Sequence, residues 1–106
     1  MQEILNLSLV QSNIFWAGVD KNLKHFSRLI SKIKQTNIIL LPEMFNTSFC
    51  PERNDLAEKM NGKTISWMKD ISKMYDCVVT GTLMIKENNK VYNRLVWISP
   101  NKEIIT

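Results

Sequence analysis

The sequence predicts an α/β domain whose sheet mixes parallel and antiparallel strands. Three observations lead there. A short alternating apolar segment, a long amphipathic stretch and a second apolar run succeed one another over residues 4–41. That is the order of a strand, a helix and a parallel strand joined by a right-handed crossover. A second amphipathic stretch follows, and then two apolar segments flank the polar turn Glu87-Asn88-Asn89-Lys90, as in a hairpin.

Each element has its own warrant. Ile4-Leu5-Asn6-Leu7-Ser8-Leu9-Val10 places three leucines on one face of a strand. Asp20 is placed to cap a helix that runs to about Lys34, with Leu23, Phe26, Leu29, Ile30 and Ile33 on its apolar side. Lys21, Lys24, Arg28 and Lys32 recur on the opposite side, and such a stripe reads as a solvated face. Asn37 to Leu41 is a short apolar strand. Asn54 to Met60 suggests a short helix inside the polar stretch that follows. Gly62 ends that stretch, and Thr64 is placed to cap a helix with Trp67, Met68, Ile71, Met74 and Tyr75 on one arc. Cys77 to Ile85 and Val91 to Ser99 are the hairpin strands, and Pro100-Asn101 marks another turn.

The composition bounds the function. The chain has 106 residues, 44% hydrophobic and 23% charged, enough for one small core. Its net charge of +4 is modest, and no aromatic interleaves the lysine stripe, so nucleic-acid binding is not favoured. Met1-Gln2-Glu3 has no basic residue, Asn6 and Ser8 break the first apolar run, and no stretch reaches membrane-spanning length. Cys50 and Cys77 lack metal or redox spacing, which suits a reducing cytoplasm and implies no metal.

The segment Leu40-Leu41-Pro42-Glu43-Met44-Phe45-Asn46-Thr47-Ser48-Phe49 carries the chemistry. Pro42 cannot donate to a ladder, so the strand stops there. In a parallel sheet, working residues gather beyond the carboxyl ends of the strands, which puts Glu43 at the functional rim. Met44, Phe45 and Phe49 are expected to exclude water around it, and a poorly hydrated carboxylate is a better general base.

Taken in order, "LPEMFNTSF", "NGKTISWM", "VVTGTLMI" and "YNRLVWISP" resemble the first part of a carbon–nitrogen hydrolase of the nitrilase superfamily, in the omega-amidase-like branch. The likeness runs from Leu5 to Ile105. The family often has glycine where this chain has Ser48. The resemblance implies a four-layer α-β-β-α sandwich, of which residues 1–106 form the N-terminal part, with helices on one face of a mixed sheet. It implies amide hydrolysis by a glutamate, a lysine and a cysteine through a thioester, without a cofactor. Glu43 stands at the glutamate position, and the lysine and cysteine are expected beyond Thr106. Phe45 and Thr47 are the candidate substrate-binding residues. The substrate implied is a small omega-amide of a dicarboxylic or α-keto acid, and self-association as a homodimer is expected.

Other candidates are weaker. Cys77 opens a core strand and reads as a small buried hydrophobe. Cys50 lies in the loop after Glu43 without a lysine placed to assist it. His25 falls among the basic residues of the first helix. Asn93 and Arg94 interrupt an apolar strand and read as hydrogen-bonding groups that hold the sheet. The alternative function is a small basic α/β binding module without catalysis, with nucleic acid as its candidate ligand.

Overall fold

The structure is a computed structural model, and it describes residues 4–101 and 103–106. Five strands form one sheet in sequence order: β1 (Leu7–Leu9), β2 (Ile38–Leu40), β3 (Val78–Glu87), β4 (Lys90–Ile98) and β5 (Ile104–Ile105). The first three run parallel, and β4 pairs antiparallel with β3 on one side and with β5 on the other. Helix α1 (Val19–Ile30) connects β1 to β2, and α2 (Lys63–Tyr75) precedes β3. The predicted parallel pair and the hairpin are both present.

Residues paired across strands share a face, so the register divides the sheet into two sides. Ile39, Val79, Val96 and Ile98 face the helices and are fully buried with Phe26, Ile30, Ile65 and Met68. The other side carries Leu9, Leu40, Trp97 and Ile105 in one row, and Leu7, Ile38 and Val78 in the next. No helix among the described residues covers that side, and Leu7, Leu9, Leu95 and Ile105 are exposed. The three leucines of the first strand therefore mark the open face. Val10, just after β1, joins the core.

Boundaries differ from the sequence expectations for local reasons. Helix α1 begins after Gly18, and Asp20 lies in its first turn, where it pairs with Lys63 Nζ at 2.8 Å. The helix ends at Ile30, with Ser31 at its C-cap, and single turns continue to Ile33. The region 54–60 contributes only a 3₁₀ turn, Asn54–Leu56. In α2, Thr64 is a buried member of the first turn, and the cap comes from outside the helix. Glu58 accepts the Thr64 backbone N–H at 2.7 Å and the Thr64 hydroxyl at 2.5 Å. A carboxylate at a helix N-terminus also complements the helix dipole. Met74, expected on the apolar arc, is 69% exposed.

The cap requires close approach at Gly62. A Cβ there would sit 2.7 Å from Glu58 Oε1 and 3.0 Å from the Lys59 carbonyl oxygen, which is backbone and cannot easily yield. Gly62→Ala is expected to destabilise the chain by about 1–3 kcal/mol, read as a lower midpoint in urea unfolding at unchanged slope.

The hairpin turn is tight because Asn88 and Asn89 both take left-handed backbone, at φ 53 and 63. Arg94, half-buried on β4, donates to Glu87 at 2.8 Å and holds its carboxyl below the usual carboxylate range. Its guanidinium also lies over the Tyr92 ring. The lysines of α1 are solvent-exposed. No helix among the described residues is long and apolar enough to cross a membrane.

Candidate active site

Strand β2 stops at Leu40, while β3 continues for seven residues past Thr80, its partner in the ladder. The chain after β2 therefore has an open strand edge beside it. Leu41 N–H still donates to the Thr80 carbonyl at 2.8 Å, and then Pro42 ends the ladder. Glu43 follows at the carboxyl ends of the parallel strands, the position expected, and it is exposed. Its carboxylate makes no hydrogen bond or ion pair with the described residues.

The residues next to Glu43 are held firmly. Met44 takes left-handed backbone, φ 52, and its N–H donates to Thr82 Oγ1 at 2.9 Å. The Met44 carbonyl accepts from Thr47 and Ser48 N–H at 3.2 and 2.8 Å. Ser48 is left-handed too, at φ 69, a backbone that glycine adopts without strain. Met44 packs with Cys50 and Met84, whereas Phe45 enters the main core between Phe26 and Trp67. Two consecutive side chains thus bind the loop to two different clusters.

This corrects the expected surroundings of Glu43. Met44 and Phe45 do not screen it from water; both are turned inward, at 4% and 0% exposure, and Phe49 is 67% exposed. Phe45 and Thr47, the candidate substrate-binding residues, are fully buried and present no side-chain surface to a substrate in this chain. The Phe45 ring lies against Gly81, where an added Cβ would come within 3.0 Å of it. The Thr47 hydroxyl donates to the Ser48 carbonyl. Both residues support the loop from behind. Phe45→Ala is expected to lower stability by about 3–5 kcal/mol, measured by thermal or denaturant unfolding.

A polar cluster ties the same loop to both helices. The Asn46 side-chain amide donates to Thr64 Oγ1 at 3.1 Å and to Glu58 Oε2 at 3.4 Å, and its backbone carbonyl accepts from Asn22 Nδ2 at 2.9 Å. Ala17 N–H donates to the Thr47 carbonyl at 2.7 Å. Sequence reasoning missed Glu58 and Thr82. The signal for Glu58 was an acid just upstream of a Gly-Lys-Thr helix start. For Thr82 it was a hydroxyl alternating with Thr80 in an apolar strand.

The remaining candidates fall elsewhere. Cys50 is fully buried with its thiol directed at the Ser48 carbonyl, 3.4 Å away. Cys77 is buried in the core, and burial pushes its thiol up. His25 is half-buried between Phe15 and Phe26 and hydrogen-bonds Ser12. Asn93 is exposed on the open side, in a groove of about 370 Å³ with Met44, Phe49 and Met84.

The family model described as Carbon-nitrogen hydrolase matches residues 6–106. The chain belongs to the carbon–nitrogen hydrolase family. Among curated relatives, it is 31% identical over 103 residues to the omega-amidase YafV of Yersinia enterocolitica, covering 95% of this chain and 39% of that protein. It is 26% identical over 102 residues to the 2-oxoglutaramate amidase of Bacillus subtilis, covering 93% of this chain and 39% of the relative. A solved CN-hydrolase superfamily protein from Xanthomonas campestris, carrying an arsenic adduct in its active site, superposes with a TM-score of 0.91 at 29% identity. That match covers 95% of this chain and 38% of the other. This carbon–nitrogen hydrolase chain therefore spans about two fifths of the length of the relatives it matches, and its sheet and two helices reproduce that part of the fold.

Proposed function

We propose that the chain supplies the general base of an amidase that hydrolyses small omega-amides of dicarboxylic or α-keto acids. The observation that carries this reading is Glu43, an exposed carboxylate with no partner among the described residues, at the carboxyl rim of a carbon–nitrogen hydrolase sheet. The relatives' names supply the substrate class: one is an omega-amidase, the other acts on 2-oxoglutaramate.

In this reading Glu43 takes the proton of a cysteine thiol as the sulfur attacks the amide carbon. A lysine stabilises the oxyanion that forms. The C–N bond breaks, and ammonia leaves with the proton that Glu43 held. Glu43 then deprotonates a water that attacks the thioester, releasing the acid and restoring the thiol. All groups in the cycle are side chains, so no cofactor takes part. In this reading the lysine and the cysteine come from outside residues 1–106. Cys50 does not serve, because its thiol is enclosed and bonded to backbone carbonyls.

The test uses the 106-residue chain and a longer polypeptide containing it, each offered glutamine, a succinamate-type amide and a simple nitrile. The longer polypeptide is expected to release ammonia and the short chain to release none. Turnover by the short chain that Cys50→Ser abolishes would overturn the reading.

A further inference from the structure

We infer that Thr82 is a positioning residue for Glu43, acting through the backbone of Met44. The inference rests on the general-base reading of Glu43, but its physical core concerns this chain alone. Glu43 has no side-chain partner among the described residues, so its place at the rim depends on its backbone. The next residue, Met44, is a non-glycine residue in left-handed conformation, which is unfavourable unless its surroundings enforce it.

Three hydrogen bonds enforce it. Two are made by the Met44 carbonyl within the turn itself, from Thr47 and Ser48. The third, from Met44 N–H to Thr82 Oγ1 at 2.9 Å, is the one that connects the turn's first amide to the sheet through a side chain. Met44 is 4% exposed, so water cannot readily replace that acceptor. Thr82 is committed to this task in a way its neighbour is not. Thr80, two residues back on the same face, donates its hydroxyl to the Val96 carbonyl within the sheet. Without the Thr82 oxygen, the part-buried Met44 amide loses its acceptor, and the left-handed turn can relax toward ordinary backbone. Because Glu43 adjoins that turn, its carboxylate would leave its fixed direction.

Thr82→Val and Thr82→Ser test this. Valine keeps the shape and the strand preference but removes the acceptor, whereas serine retains the oxygen. In the 106-residue chain, the Met44 amide is expected to exchange its hydrogen about tenfold faster or more in Thr82→Val. The Val79 and Leu83 amides should stay within twofold, and Thr82→Ser should restore Met44 protection. Unchanged exchange at Met44 in the valine variant, or no restoration by serine, overturns the inference. In a longer polypeptide with amidase activity, Thr82→Val should lower kcat about tenfold or more at KM within twofold, and Thr82→Ser should retain most of kcat. Equal kcat for valine and wild type would also overturn it. A longer polypeptide that hydrolyses no amide counts against the proposed function, while the exchange measurement still decides the role of Thr82.

Discussion

Replacing Glu43 by glutamine is expected to lower amide hydrolysis by about 10²–10⁴-fold in an amidase-active polypeptide that contains this chain. The substitution keeps the length and planarity of the side chain and removes its ability to take a proton. The surroundings make the experiment clean. Glu43 is exposed and makes no side-chain bond among the described residues, so its loss should change stability by no more than about 0.5 kcal/mol. Unfolding curves of wild type and variant should therefore overlay while their rates separate. A rate within a few-fold of wild type would exclude the general-base role. Loss of activity accompanied by a large fall in unfolding midpoint would point to a structural role instead.

The second large effect concerns the open face of the sheet. Leu7, Leu9, Leu95 and Ile105 are 53%, 65%, 55% and 61% exposed on that side, next to half-buried Ile38, Leu40, Val78 and Trp97. Apolar surface is worth about 25 cal/mol per Å² when removed from water. A face of this kind left wet forgoes several kcal/mol, against about 5–15 kcal/mol for the whole stability of a small domain. The isolated chain is accordingly expected to self-associate through this face and to bind dyes that report exposed apolar surface. Sedimentation across a concentration series checks the first and fluorescence the second. Leu95→Lys, at an already exposed site, should reduce association and leave the unfolding midpoint nearly unchanged. A monodisperse monomer at all concentrations, with no dye bound, would show that the face is satisfied in some other way.

The sequence was legible where one local signal decided the outcome. Pro42 stopped β2, the polar Asn88-Asn89 pair set the hairpin, and the periodicity of Leu23, Phe26 and Ile30 placed α1 on the sheet. It was less legible where a tertiary contact replaced a local rule. Asp20 had the chemistry of a cap, but its carboxylate pairs with Lys63, 43 positions away. Thr64 had the same chemistry, yet it is itself capped by Glu58. Alternation in β1 separated two faces correctly without saying which one the helices cover, because a period of two is symmetric. The position of Glu43 followed from the strand end. Its hydration did not, since the direction of Met44 and Phe45 depends on a left-handed turn in a sequence with no glycine at that point.

The segment from Leu41 to Glu58 is fastened to β3 at both ends. Leu41 and Met44 bond to Thr80 and Thr82 at one end; at the other, Glu58 N–H donates to the Met84 carbonyl and Lys86 N–H to the Glu58 carbonyl. Between these attachments, Pro51, Glu52, Asn54 and Asp55 are exposed. Such a loop behaves like a bridge on two fixed piers, whose span can be lengthened without moving either. Closure entropy rises only by about 0.6 kcal/mol for each doubling of loop length. Insertions after Glu52 could thus remodel the approach to the rim while Glu43 stays in place, which gives a family built on this frame a simple way to change what reaches its carboxylate without rebuilding the carboxylate's support.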